Sequence, residues 1–219
     1  MKLTVLGSGT CVPNKYRGSS GYLLELGNNK ILFDCGNGTT WKLEKIGVNY
    51  LDIDYIFITH FHPDHTADLI PLLFATKYPY PYNIKRSKPL IIYGPEGFNL
   101  FYDKLKNLYG DWVNPENVQF KEIKGVLKTN DFTIKTFRTV HTNNSICYQL
   151  INKGKKFVYS GDTGYFKELS NISDNADLFI IECALPDNEK LKMHISPSDL
   201  KKILKNSNPK KVLVTHFYP

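Results

Sequence analysis

The sequence predicts an α+β fold: two mixed β-sheets packed face to face, with helices on the outside. Three observations carry this reading. Short apolar, β-branched runs recur along the chain, bounded by Gly, Asn, Asp or Pro, as strands are. A few segments with apolar residues at helical spacing interrupt them in mixed order. No low-complexity tract or linker divides the 219 residues, so residues 1–219 are expected to form one domain with a substantial core.

The strand-like runs are KLTVLG (2–7), GYLLEL (21–26), KILFD (30–34), DYIFITH (54–60), KPLIIYG (88–94), NVQFKEI (117–123), FTIKTFRTVH (132–141), SICYQLI (145–151), KKFVYSGD (155–162), DLFIIEC (177–183) and KKVLVTH (210–216). Helices are expected in TTWKLEKIG, where Gly47 suits the position past the C-terminus, and in HTADLIPLLFATKY. GFNLFYDKLKNLYG puts Phe98, Phe101, Leu105 and Leu108 on one helical face. SPSDLKKILKN opens with Ser196 as N-cap and Pro197 at N1.

Composition bounds the setting. Hydrophobic content of 42% and charged content of 22% describe an ordinary globular protein, and no apolar run is long enough for a membrane span or a leader. Cys11, Cys35, Cys147 and Cys183 are scattered without CxxC spacing, which points to a reduced, cytoplasmic chain. The net charge of +7 permits an anionic partner without specifying one.

Several strand-like runs end abruptly in a residue that can bind metal: YIFITH in His60, TFRTVH in His141, FVYSGD in Asp162 and VLVTH in His216. Strand ends are rigid platforms from which side chains converge on a common rim. One of them runs into THFHPDH (59–65), where His60 and His62 point the same way in an extended segment, Pro63 forces a turn, and Asp64 and His65 diverge in the first helical turn. One peptide can thus serve two metals. His60, His62 and His141 would hold the first, Asp64, His65 and His216 the second, with Asp162 bridging. Imidazole-rich ligation favours zinc, and the carboxylates also suit manganese or iron. Such a pair of divalent ions, sharing a water, suits phosphoryl or acyl hydrolysis.

THFHPDH, the mid-chain VH, SGDT and the C-terminal VLVTHFYP resemble the metallo-β-lactamase-fold hydrolases, specifically their ribonuclease Z-like branch. LGSGTCVPNKYRGSSGYLLEL followed by ILFDCG is similar to that branch's opening, and IIECAL with MHISPSDL to its His-Glu-Ala-Thr segment and the histidine beyond. The resemblance runs from Leu6 to His216. It implies an αββα sandwich with a dinuclear site at one edge and the ligand roles given above. Two departures stand out. HTNNSICYQLINKGKKFVYSGDT leaves room between His141 and Asp162 for two strands and a tight turn only, so the branch's tRNA-gripping arm is missing, and Ile181 replaces the histidine before the glutamate. Related arm-less members include phosphodiesterases of small or cyclic nucleotides.

The expected chemistry is attack by a metal-bridging hydroxide, oriented by Asp64, on a phosphodiester. His194 is the candidate general acid, Glu182 holds its tautomer, Ser196 donates to a phosphate oxygen, and Asp34 fixes a ligand imidazole from behind. The segment 74–89 alternates Tyr78, Tyr80 and Tyr82 with prolines ahead of Lys85, Arg86 and Lys88, which fits a stacking, phosphate-attracting wall or a homodimer contact. Alternatives on the same residues are a thioester, lactone or β-lactam hydrolase, or a catalytically silent metal-binding protein. The substrate is expected to be RNA or a small or cyclic nucleotide.

Overall fold

The strand-forming runs pair into two six-stranded mixed sheets. The computed structural model describes every residue except Asn83 and Lys85, so the expectation for Lys85 falls outside the described residues. The first sheet has the order β1 (Lys2–Gly7), β2 (Gly21–Leu26), β3 (Asn29–Phe33), β4 (Tyr55–Phe57), β5 (Leu90–Gly94), β6 (Val118–Glu122). Its first two pairings are antiparallel and the other three parallel. The second runs β12 (Val212–Thr215), β11 (Leu178–Glu182), β10 (Lys155–Tyr159), β9 (Ile146–Asn152), β8 (Thr133–Arg138), β7 (Val126–Lys128). Here β12, β11 and β10 are parallel and the rest antiparallel. Each sheet belongs to its own compact unit, Met1–Glu122 and Ile123–Pro219.

In the first unit, strand alternation creates two buried rows. Leu23, Leu32, Ile56 and Ile92 stand in register across four strands. They pack against Leu43 of α1 (Thr39–Lys45), Leu72 and Leu73 of α3 (Leu69–Lys77) and Phe98 and Tyr102 of α4 (Phe98–Tyr109). On the opposite face Phe33, Phe57 and Tyr93 stack with ring centroids 5.6 and 5.2 Å apart. Parallel strands buried on both faces read as continuous apolar runs, which is why KPLIIYG and DYIFITH show so little alternation.

In the second unit Val158, Phe179 and Ile181 face Leu169 and Ile172 of α5 (Glu168–Ser173) and Ile203 of α6 (Pro197–Lys205). β9 and β10 are joined by the two residues Lys153 and Gly154, both at positive φ, the geometry of a tight hairpin turn whose twist suits antiparallel strands. The segment between His141 and Asp162 is therefore two strands and a turn, without an arm.

Three local expectations are corrected. HTADLIPLLFATKY is two helices, α2 (Pro63–Thr66) and α3, because Asp68 between them turns its carboxylate onto the start of α1, accepting from Gly38 N, Thr40 N and Thr40 Oγ1 at 2.7–2.9 Å. The buried face of α4 is Phe98 and Tyr102 with Phe101, while Leu108 is 74% exposed. Ser196 precedes α6 in extended conformation, yet its hydroxyl donates to Asp199 rather than capping a backbone amide. α5 and β7 were not foreseen: ELSNIS lacks helical apolar periodicity, and a three-residue strand is below what a pattern can show.

Candidate metal centre

In the first unit the ligand-bearing segment is built around Asp34. This residue follows β3 with φ 56°, a left-handed conformation in which Asp is enriched. The bend returns its fully buried carboxylate toward the end of β4. There it accepts from Thr59 N (2.8 Å), Thr59 Oγ1 (2.9 Å) and His65 Nδ1 (2.7 Å). Because Thr59 Oγ1 gives its proton to Asp34, its contact with His60 Nδ1 at 3.0 Å makes the imidazole the donor. One carboxylate thus sets the tautomer of two histidines, the first directly and the second through a hydroxyl. Both imidazoles then carry their lone pair on Nε2.

Pro63 starts α2 at N1, as its fixed φ favours, and His62 is the extended residue before it. The His60 ring lies 4.6 Å from that of His62 and 4.2 Å from that of His65, and His65 Nε2 is 3.7 Å from Asp64 Oδ2. Gly36 permits this arrangement, since a Cβ there would fall 2.1 Å from the Asp64 carbonyl oxygen. His60 and His65 are fully buried, Asp64 is buried, and His62 is exposed.

In the second unit Asp162 is the centre. Its Oδ2 lies 3.2 Å from His216 Nε2 and 3.7 Å from His141 Nε2. His216 follows β12 at φ 60°, again a left-handed strand end. His141 donates Nδ1–H to the Met193 carbonyl at 3.1 Å, which leaves Nε2 as its lone-pair nitrogen. Ligand atoms of Asp162, His194 and His216 lie within 4.8 Å of one another.

His194 stands beside these residues, its ring 4.9 Å from that of His141 and stacked on that of His216 at 5.7 Å. Its Nδ1 donates to Glu182 Oε1 at 2.9 Å. The same oxygen accepts Thr163 N at 2.6 Å, and Oε2 accepts Ile195 N at 3.2 Å, so Glu182 is anchored from three directions at the end of β11. Burial pushes the Glu182 carboxyl above its ordinary value, the His194 hydrogen bond pulls it down, and the nearby Asp162 carboxylate pushes it up again.

Glu182 and His194 lie within hydrogen-bonding distance, and the imidazole that Asp34 contacts directly is that of His65. Ser196 is not offered outward. It is 1% exposed and its hydroxyl donates to Asp199, so it is not placed to donate to a phosphate as expected. Within the segment 74–89, Tyr80 and Tyr82 are 83% and 80% exposed, while Arg86 turns inward and donates to the backbone carbonyls of Ile53 and Tyr50. Arg86 is therefore a strut for that loop and not a phosphate collector. Two roles escaped the sequence reading, the Thr59 relay and the Thr163 amide on Glu182. Thr59 stands inside THFHPDH and Thr163 inside SGDT, but only the folded backbone brings them to their partners.

The donor set fits divalent metal. Two buried carboxylates, Asp64 and Asp162, stand among imidazoles whose Nδ1 protons are directed to Asp34, Thr59 and Met193, presenting Nε2 for ligation.

Comparison with known proteins agrees. Ribonuclease Z 1 of Schizosaccharomyces pombe is 28% identical, the alignment covering 99% of this chain and 31% of that protein. Ribonuclease Z of Methanococcus maripaludis is 33% identical over 68% of this chain and 48% of its own length. The chain therefore spans between about a third and a half of these two relatives. Among solved structures, the metallo-β-lactamase-fold protein YhfI from Bacillus subtilis superposes with a TM-score of 0.84 at 26% identity, over 98% of this chain and 85% of that one. Human tRNase Z, short form, gives 0.82 at 27% identity over 99% and 92%. The fold is thus the metallo-β-lactamase fold, and the relatives place the chain in the ribonuclease Z-like branch that the motifs suggested. A family profile described as "Anti-Pycsar protein Apyc1" matches residues 1–219 from end to end, and the chain belongs to that family.

Proposed function

We propose that the chain is a dinuclear metal-dependent phosphodiesterase in which His194 protonates the leaving oxygen. The observation that carries this is the 2.9 Å bond between His194 Nδ1 and Glu182 Oε1 in a buried setting beside Asp162, His141 and His216. His60, His62 and His141 with Asp162, and Asp64, His65 and His216 with Asp162, are the proposed ligands of two divalent ions, zinc being favoured over manganese or iron by the number of imidazoles. We propose too that residues 1–219 act as one functional domain, and the scattered, unpaired cysteines favour a reduced, cytoplasmic setting.

The metals, when bound, supply positive charge against the phosphate and a nucleophile at neutral pH. The rest is the work of this chain's residues. His194 in its imidazolium form holds Nδ1–H on Glu182 and directs Nε2–H to the departing oxygen. As the P–O bond breaks, that proton moves to oxygen and His194 is left neutral, with its Nδ1–H still on Glu182. The Glu182 carboxylate stabilises the imidazolium beforehand and fixes the ring's orientation throughout. Asp64 accepts and orients the nucleophile's proton. Acyl leaving groups such as thiolates need little of this help, so the pair favours phosphodiesters over thioesters or lactones. The family's ribonuclease Z relatives support phosphodiester chemistry, and the missing arm favours small, cyclic or single-stranded substrates over pre-tRNA.

The test is His194→Ala assayed on two substrates. Hydrolysis of a phosphodiester with an alkoxide leaving group should slow by about a hundredfold or more, the usual scale for loss of a general acid. Bis-p-nitrophenyl phosphate should be nearly unaffected, because p-nitrophenolate departs unprotonated. Equal slowing of both would refute the general-acid role.

A further inference from the structure

A second binding feature lies in the first unit, on α1 and the start of the chain. Trp41, Lys42 and Lys45 of α1 line a cavity of about 290 Å³ together with the end of β1 (Val5, Leu6 and Gly7) and Tyr16 and Arg17 of the following loop. No carboxylate lines it among the described residues. Arg17, Lys42 and Lys45 thus bring three cationic side chains to one small cavity. Burial, reinforced by the charge of Lys45, holds the Lys42 ammonium below its ordinary pKa. Lys42 Nζ lies close over Gly18. A methyl group on Gly18 would sit 2.6 Å from its Nζ, and Gly9 N binds Gly18 O at 2.8 Å, which ties the loop to the strand end.

The two aromatic rings supply the second half of the argument. Lys45 Nζ lies 5.1 Å from the Trp41 ring centroid, yet the indole is 64% exposed, and Tyr16 is 81% exposed. Large rings are costly to leave in water, and here they flank the cations on a cavity of the size that holds one small ligand (~300 Å³). Aromatic faces beside clustered cations form the recognition pattern for a base linked to a phosphate.

We propose that this cavity binds one nucleotide unit, its phosphate among Arg17, Lys42 and Lys45 and its base against Trp41 or Tyr16. The proposal does not rest on the catalytic reading. None of these residues is among the metal ligands or belongs to the Glu182–His194 pair, so either idea can fail alone. The nucleotide can be free in solution or part of a single-stranded oligonucleotide, and the two sources share this chemistry.

The chain has two tryptophans, so Trp112→Phe leaves Trp41 as the sole indole reporter. Metal-loaded Trp112→Phe protein is titrated with 5′-AMP, with ribose 5-phosphate and with a phosphorothioate pentauridylate. The expected result is saturable quenching by a base-bearing ligand, with ribose 5-phosphate competing without quenching. Lys42→Ala/Lys45→Ala should weaken binding by about tenfold or more, and Arg17→Ala, which leaves α1 untouched, by several-fold. Both variants should keep bis-p-nitrophenyl phosphate hydrolysis at the parent rate. Quenching by 5′-AMP assigns the site to free nucleotide, and quenching by the pentamer alone assigns it to a strand. Absence of quenching by both, or equal affinity in parent and charge variants, overturns the proposal.

Discussion

Asp34 accepts the Nδ1 proton of His65 at 2.7 Å, both side chains being fully buried, and reaches His60 through the hydroxyl of Thr59. One carboxylate therefore orients two imidazoles. Such outer partners typically contribute 10–100-fold to metal affinity. Asp34→Ala should lower zinc affinity by about that range, as read by chelator competition, and Thr59→Val should do so more weakly by freeing the His60 tautomer alone. If Thr59→Val equals Asp34→Ala, the relay is not hierarchical as described.

Gly36 is expected to be intolerant for a reason unrelated to flexibility. Its missing Cβ would collide with the Asp64 carbonyl at 2.1 Å and the Ser20 carbonyl at 2.8 Å, both backbone atoms that cannot swing aside. Gly36→Ala should cost on the order of 1–3 kcal/mol, the usual range for overpacking, and should lower metal content by displacing Asp64. Thermal melts and elemental analysis on the same preparation check both halves. A variant with parent stability and full metal content would contradict the packing described.

Substrate size should follow from the short β9–β10 turn. Without a distant grip, tRNA can be held only near the cleavage point, and the +7 charge supplies salt-sensitive attraction without register. kcat/KM on a cyclic nucleotide or a short single strand should exceed that on pre-tRNA at physiological salt. Efficient, accurate cleavage of pre-tRNA by the isolated chain would reverse that order.

The thiols should separate cleanly. Burial pushes Cys147 up to about 12 and, with the nearby Glu182 carboxylate, Cys183 up to about 11, and it raises Cys35 well above its ordinary value. A raised thiol pKa means that thiolate, the reactive form, appears only as pH climbs toward those values. At pH 8 a disulfide reagent should therefore titrate one thiol in the native protein, exposed Cys11, and four after denaturation. Two or more fast thiols in the native state would show that Cys35, Cys147 and Cys183 are not shielded as described.

How much of this was legible in sequence depends on whether the interaction is local. Strand runs, the HxHxDH spacing and the strand ends that carry candidate ligands could be read directly, because alternation and residue spacing along one segment fix which side chains emerge together. The pairing of Glu182 with His194 is legible only through a family resemblance, since the eleven positions between them carry no periodic signal. Folding decided the rest. It bent Asp34 into a left-handed conformation so that one carboxylate reached Thr59 and His65, 25 and 31 residues away. It broke the expected helix at Asp68 to cap α1 from across the chain, and it took Ser196 and Arg86 from expected ligand contacts into internal hydrogen bonds. Those outcomes depend on which buried polar groups find partners, and that matching is settled only when distant backbone amides and carboxylates are brought within hydrogen-bonding distance.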